Sequence, residues 1–299
     1  MASRQRSLAF REFELRHRGE VDVYWRLAAS ATYAERWWAS VPSAERPSRI
    51  SDAAATDSPE ARVRLSPEDF VANQFHVLLW ARAYTLVAMI TSFESYLRRA
   101  LERALIVRPA LLSEFEMQLT ARDLAGPAED GGLRQWIARR VADKLIRDKT
   151  HPEAYRRLDE VFKCGVSKAM AAKVEEWQRF TLLRNAIVHE SRTVTSELVR
   201  AWPERYPLPG TLVVVDDRDL VRVHDLGFEL AEALDRRYTT EVIGEADAAE
   251  LVCQMYWKMS VRDAETAMQF VDEFIGYSLT QQRADELLRL AAAGSRGYP

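Results

Sequence analysis

At 299 residues the chain is long enough to bury a substantial core, as one large domain or as a domain with extensions. Its net charge of −3 excludes a protein that is basic throughout, so nucleic-acid binding requires a local basic patch. The two cysteines, Cys164 and Cys253, form neither a disulfide framework nor a CxxC metal site, and we predict free thiols in a reducing compartment.

No targeting or membrane segment is predicted. The N-terminal stretch MASRQRSLAFREFELRHRGE is charged throughout and lacks the apolar core of a signal peptide. The longest apolar run, TLVAMI at 85–90, is far shorter than the roughly 20 residues that span a bilayer. We therefore expect a soluble, cytoplasmic protein that does not enter a membrane.

The first third of the chain is predicted to be helical apart from one linker. An aromatic-rich helix is predicted over 8–40, and a linker or mobile loop rich in Ser, Pro and Ala over 40–62. The stretch SPEDF then marks a helix start, with Ser66 as the N-cap and Pro67 in the first turn. A long helix should run from there to about residue 106.

The rest of the chain has a mostly helical period, because Gly and Pro number only 11 each. Further helices are predicted over 111–125, 132–148, 152–163, 168–190, 226–240, 246–259, 261–276 and 280–292. AGPAEDGG (125–132) is predicted to be a loop, and TLVVVDDRDLVRV (211–223) a β-hairpin, because two β-branched runs flank a polar turn. The predicted fold is mainly α, a helical bundle with one small β-hairpin insertion. It divides into a helical N-terminal extension plus linker (1–65), a helical domain (66–245) and a C-terminal helical extension (246–299).

Polar residues interrupt the apolar face of the helix predicted over 168–190. At 100° per residue, Arg184 lies about 20° from Trp177, near the centre of the apolar stripe. Asn185 and His189, four residues apart, share one shoulder of the same face. Because an unpaired buried charge costs several kcal/mol, this face must hold either an ion pair or a polar cleft.

Glu94 occupies a comparable position in the long helix predicted to end near residue 106. It lies about 40° from Ile90, on the apolar face of that helix. Two interpretations follow. In the first, Glu94 and Arg184 form one buried salt bridge that fixes the two helices. In the second, Arg184, Asn185 and His189 line a cleft, and Glu94 supports them or lies at a dimer contact.

The segment RNAIVH at 184–189 resembles the Arg–polar–x3–His signature of HEPN (higher eukaryotes and prokaryotes nucleotide-binding) domains. These domains are helical bundles, and many are metal-independent ribonucleases. LVAMITSFESYLRRALERAL at 86–105 is similar to an early helix of that family that carries an acidic residue. The predicted hairpin followed by a helix, at 211–238, is a further likeness, and the resemblance covers about 66–240.

The resemblance implies a metal-independent endoribonuclease in which Arg184, His189 and Asn185 are catalytic and Glu94 supports them. RNA carries its own nucleophile, the 2′-OH beside the scissile phosphate. His189 suits proton transfer because histidine has a reference pKa of roughly 6.5. Arg184 suits contact with phosphate oxygens at the transition state, and Asn185 can donate a hydrogen bond to phosphate or orient the substrate. No metal and no cofactor is predicted.

A homodimer is also predicted. Arg184 and His189 lie about 140° apart on one helix, so a single helix does not easily direct both at one atom. Two copies related by a two-fold axis, with 184–189 near that axis, bring both pairs to a shared cleft. The resemblance implies the same, because active HEPN proteins are commonly dimers or paired domains. It further implies a toxin or an anti-phage defence effector, and the helices over 246–299 are a candidate docking site for an antitoxin or a sensor subunit.

A basic stretch supplies candidate RNA contacts. Residues 133–157 hold eight Arg or Lys residues and three acidic residues, a local net charge of +5. The helix predicted there should pack inward through Leu133, Ile137, Val141 and Leu145. We predict contacts with the RNA backbone from Arg139, Arg140, Lys144 and Arg147. The alternative is a solvated charged face without a ligand.

The nuclease hypothesis has a rival from another class, a non-catalytic helical module that binds a nucleotide, RNA or protein. In that module Arg184 and His189 hold a nucleotide or brace the core. An enzyme needs both side chains accessible in one cleft, whereas a brace hides them. The acidic DDRD turn at 216–219 is an alternative metal site, although a solvated turn explains it better. The sequence contains no Gly-rich phosphate loop, HExxH, GxSxG or Rossmann motif.

Overall fold

The structure is a computed structural model that describes residues 5–116, 118 and 132–294. Within those ranges the chain is mostly helical, and β structure is limited to one isolated bridge between Thr193 and Leu212. The mainly α fold class is therefore confirmed. The loop predicted over 125–132 lies, except for its last residue, outside the described residues, and so does most of the second half of the helix predicted over 111–125.

The helices predicted from periodicity are present, except that a 3-10 helix, Pro109–Glu114, lies where the helix over 111–125 was predicted to start. The α-helices are α1 (Leu8–Ser40), α2 (Pro67–Val107), α3 (Leu133–Asp148), α4 (His151–Phe162), α5 (Ala171–His189), α6 (Ser196–Ala201), α7 (Asp217–Tyr238), α8 (Ala246–Lys258), α9 (Ala264–Ile275) and α10 (Gln281–Ala292). Other short elements are the 3-10 helices Ser43–Glu45, Ile50–Ala53 and Pro59–Arg62 and the π-helix Thr239–Ile243.

The segment between α1 and α2 carries local structure, although it was predicted over 40–62 as a linker or mobile loop. It holds the three short 3-10 helices, and the Ile50 N–H donates to the Leu65 carbonyl at 3.0 Å. The start of α2 follows the predicted capping pattern. The Ser66 hydroxyl accepts a hydrogen bond from the Asp69 N–H at 3.0 Å, which confirms Ser66 as the N-cap.

The predicted β-hairpin over 211–223 is wrong, because α7 begins inside the supposed turn. Asp216 and Asp219 cap that helix reciprocally. The Asp219 N–H donates to Asp216 Oδ1 at 3.0 Å, and the Asp216 N–H donates to Asp219 Oδ2 at 2.9 Å. Leu220 and Val223, three residues apart, are both buried, which is a helical spacing. Capping and helical periodicity thus outweigh the β-branched composition of the segment.

The chain divides into two compact units. The first comprises Met1–Arg16, Ile90–Leu182 and Asp225–Pro299, and the second comprises His17–Met89 and Leu183–His224. The three residues proposed as catalytic fall in the second unit, whereas Glu94 and the basic helix α3 fall in the first. The division predicted from the sequence follows chain order, and it stays a prediction.

The first unit contains an aromatic core. Phe10 and Phe13 of α1 meet Tyr96 of α2 and Phe228 of α7, with ring centroids 5.5 to 6.3 Å apart. Tilted and edge-to-face contacts of this kind add about 0.5–1.5 kcal/mol each to the burial of the rings. The buried Tyr96 hydroxyl donates to the Ala231 carbonyl at 3.1 Å, so the phenol keeps a hydrogen-bond partner.

The C-terminal helices belong to the first unit and have an apolar core of their own. Helices α8, α9 and α10 pack against one another around residues such as Val252, Val271 and Leu287. Leu8 of α1 packs on the same core, and its backbone N–H donates to Asp247 Oδ2 at 2.7 Å. The two ends of the described chain are therefore joined within this unit.

The second unit contains two polar networks. The rings of His17 and His224 stack with centroids 5.2 Å apart, and burial lowers the pKa of His17 to about 4. Arg82 of α2 donates through Nε to Asp217 Oδ1 (2.6 Å) and to the Tyr24 hydroxyl (2.9 Å). This second network ties α1 and α2 to the first turn of α7.

Among the described helices, α2 is long and apolar enough to cross a membrane by length and composition. The core helix of a soluble protein passes the same test. Leu86, Met89 and Leu97 of α2 are fully buried, and 33% of its most apolar window is buried. The expectation that the chain does not enter a membrane stays a prediction.

Candidate functional site

The end of α5 carries the three residues proposed as catalytic. The helix ends at His189, and the chain then turns through Ser191 and Arg192, whose φ angles are 50° and 64°. Residues other than glycine rarely adopt this left-handed backbone, although it is common at helix ends. The Arg192 N–H donates to the Ala186 carbonyl at 3.0 Å, which closes the helix and fixes its last turn.

Arg184 and Asn185 contact each other directly. Both side chains are partly buried, and Arg184 Nη1 donates to Asn185 Oδ1 at 3.0 Å. Asn185 shares one face of α5 with His189, because the two residues are four apart. This hydrogen bond draws the Arg184 guanidinium to the Asn185 side of the helix, which by helix periodicity lies about 40° from His189.

His189 is exposed to solvent. Its neighbours Leu183, Ala186 and Ile187 are buried, so the other side of this helix end packs in the core. Helix periodicity puts Val188 about 20° from Trp177, on the apolar face, but Val188 is 46% exposed. The His189 side of the last turn is therefore a surface, where an imidazole can exchange protons with a bound ligand and with water.

Three residues beside this helix end were not predicted from the sequence. Arg192 is buried, 4% exposed, and its guanidinium carbon lies 4.4 Å from the centroid of the Trp80 ring. Arg192 Nη2 also donates to the Val213 carbonyl at 3.2 Å. Trp80 stacks on Tyr84, with centroids 5.8 Å apart and an interplanar angle of 23°. Their spacing of four residues on a predicted helix was the one available signal.

Glu94 has a partner that the sequence analysis did not propose. His151 Nε2 lies 2.8 Å from Glu94 Oε1, and Trp177 Nε1 donates to His151 Nδ1 at 2.9 Å. Because an indole N–H can only donate, Nδ1 accepts and the ring proton lies on Nε2, directed at the carboxylate. These contacts make Glu94 part of a structural relay within the first unit. The Glu94–Arg184 salt bridge would join the two units, and it stays a prediction.

The basic residues of α3 differ in exposure. Arg140, Lys144 and Arg147 are exposed, and Arg147 Nε lies 3.1 Å from Asp148 Oδ1. Arg139 lies 3.5 Å from Glu102, so part of its charge is already neutralised. The helix packs inward through Ala138, Val141, Ala142 and Leu145. Leu133 was predicted to face inward but is 44% exposed, since it lies in the first turn and the buried face begins one turn later.

The DDRD segment is occupied by internal contacts rather than open to a metal. Asp217 pairs with Arg82, and both Asp216 and Asp219 pair with Arg205. In the ranges that the structure describes, no group of three or more His, Cys, Asp or Glu side chains is arranged to hold a metal ion. The acidic residues thus act as helix caps and ion-pair partners.

Comparison with known proteins adds no assignment to this geometry. No protein-family model, no curated protein and no solved structure matches the chain. The case for a function therefore rests on the residues at the end of α5 and on the motif that they form.

Proposed function

We propose that the protein is a metal-independent endoribonuclease whose reaction centre lies at the end of α5. The observation that carries this proposal is the hydrogen bond from Arg184 to Asn185. It directs a permanent positive charge toward the helix face on which His189 is exposed. A cation can stabilise the transition state of RNA transesterification, and a solvent-accessible imidazole can serve as its general base or its general acid.

In the proposed reaction the 2′-OH of the substrate attacks the adjacent phosphorus. The bond from phosphorus to the 5′-oxygen breaks, which leaves a 2′,3′-cyclic phosphate on one fragment and a 5′-OH on the other. His189 removes the proton from the 2′-OH or supplies one to the leaving oxygen. Arg184 stabilises the extra negative charge on the phosphorane-like transition state. Asn185 accepts from Arg184 through Oδ1, so its amide N–H groups can donate to a phosphate oxygen.

One histidine cannot be base and acid in the same event, and we propose that a second copy supplies the other. A homodimer with residues 184–189 near its two-fold axis places two His189 side chains in one cleft. Arg140, Lys144 and Arg147 of α3 are proposed to contact the RNA backbone, which makes binding sensitive to salt. A role as a toxin or a defence effector is proposed from the HEPN resemblance alone. Docking of an antitoxin or a sensor subunit on the C-terminal helices is a separate proposal, because the resemblance does not cover those helices.

The test is cleavage of total RNA and of defined tRNA in EDTA. We expect wild type to produce 2′,3′-cyclic phosphate ends, and His189→Ala and Arg184→Ala to lose at least about 100-fold in rate. Two matched controls, His76→Ala on α2 and Arg200→Ala on α6, remove exposed residues of the same types and should cleave like wild type.

Three other outcomes count against the proposal. Binding of RNA by wild type without cleavage would favour the non-catalytic binding module. If wild type is inactive and the melting temperatures of His189→Ala and Arg184→Ala are both much lower, the two residues would be braces of the core rather than catalytic groups. Equal loss of activity in the two control variants would show that the assay reports folding rather than chemistry.

A further inference from the structure

Two aromatic side chains of α2 are presented to solvent as a pair. Trp80 and Tyr84 are 47% and 63% exposed, and their rings are nearly parallel. Within the described chain, neither the indole N–H nor the phenol O–H makes a hydrogen bond to protein. Large aromatic rings on a surface, with free polar edges, are typical of groups that stack on a ligand.

Arg192 holds the Trp80 ring in place. Its guanidinium is buried against the indole at 4.4 Å and is anchored through the Val213 carbonyl. A buried cation on a ring contributes more than an exposed one, because water does not screen the attraction. The ring is therefore fixed before any ligand arrives, which lowers the entropy lost on binding.

The aromatic pair lies beside the proposed reaction centre, within the second unit. The backbone N–H of Arg192 is bonded to the carbonyl of Ala186, which follows Asn185 on α5. The residue that holds Trp80 is thus also the residue that closes the helix end carrying His189. The stacked rings and the catalytic candidates are connected through this one residue.

We propose that Trp80 and Tyr84 form a stacking platform for an unpaired nucleobase of the substrate RNA. This inference rests on the proposed function. In a duplex the faces of each base are covered by its neighbours, whereas in a loop or single strand they are free to stack on a side chain. The cationic Arg184 on the adjoining helix end suits the phosphate that follows such a base.

The experiment measures binding separately from cleavage. The probe is a 2′-O-methyl single-stranded oligonucleotide, which has no free 2′-OH and cannot be cleaved, beside the blunt duplex of the same sequence. We expect Trp80→Ala and Tyr84→Ala to bind the single strand about 5- to 100-fold more weakly, and Trp80→Phe to recover most of the affinity. Phe75→Ala removes an equally exposed aromatic from α2 and is the matched control.

A second readout distinguishes stacking from a structural role. Base stacking quenches indole fluorescence, so wild type should lose emission on binding and Trp80→Phe should lose less. Unchanged affinity in the Trp80→Ala variant would overturn the platform, even if wild type cleaves RNA. A wild-type dimer that becomes monomeric in that variant would overturn it too, and would make the pair a subunit contact. If Trp80→Ala weakens binding of the single strand but wild type never cleaves RNA, the stacking platform is supported and the proposed nuclease activity is contradicted.

Discussion

At the scale of single residues, the position of the candidate site followed from the sequence but its surroundings did not. Helix periodicity places Asn185 and His189 on one face, and α5 spans both residues. Periodicity does not predict that Val188 is exposed, because distant segments of the chain determine which part of a helix face is covered. The contact of Arg192 with Trp80 joins distant positions, and no local pattern indicates it.

Asp235 is a buried acidic residue whose pKa is raised. It is almost completely buried, and it accepts hydrogen bonds from the backbone N–H of Ser7 (3.1 Å) and from the Ser7 hydroxyl. Burial raises the pKa of Asp235 to about 7, from 3.8. Because the folded pKa is the higher one, the protonated form favours folding. This contribution is complete below pH 3.8 and is lost as the pH rises through about 7.

We therefore predict that Asp235→Asn removes a pH dependence of stability. The free energy of unfolding of wild type should fall between about pH 4 and 7 relative to the variant, measured as the urea midpoint at each pH. His17 acts in the opposite sense, because its lowered pKa makes folding more favourable as the pH rises. The difference between the two proteins isolates Asp235, and parallel curves would contradict the assignment.

At the scale of elements, the helices were predictable because their periodicity, caps and breakers agree. Ser66 and the start of α2 are one example. The start of α7 is the counterexample, since β-branched residues precede a pair of aspartates that fits either a turn or a cap. The sequence is compatible with both structures. In the structure Leu220 and Val223, three residues apart, are both buried, which is the pattern of a helix.

The capping box at the start of α7 gives an element-scale prediction. Asp216→Ala leaves the Asp219 N–H without its acceptor, and it should lower the free energy of unfolding by about 1 kcal/mol. Asp216→Asn keeps an acceptor and should cost only a few tenths of that. Chemical denaturation of the two variants checks the difference. If both are equally destabilised, the loss belongs to the ion pair with Arg205 instead.

At the scale of the whole molecule, each compact unit is assembled from stretches that are far apart in sequence. Ser7 with Asp235 in the first unit, and Trp80 with Arg192 in the second, are such long-range contacts. A hydrophobic period shows which face of a helix is buried, but not which segment covers it. The helices are therefore predictable from the sequence, whereas the grouping of distant segments into two units is not.

The proposed dimer can be tested by mixing wild type with an inactive variant, a prediction that rests on the proposed function. The shared cleft needs His189 from both copies, so a dimer of one wild-type chain and one His189→Ala chain lacks a proton-transfer group and should be inactive. Random exchange of equal amounts should then halve the activity of the wild-type protein, because half of the wild-type chains end in mixed dimers. Wild type diluted equally with buffer is the control. Unchanged activity, despite subunit exchange seen by native mass spectrometry, would place a complete site in each chain, and a monomer at micromolar concentration would remove the shared cleft altogether.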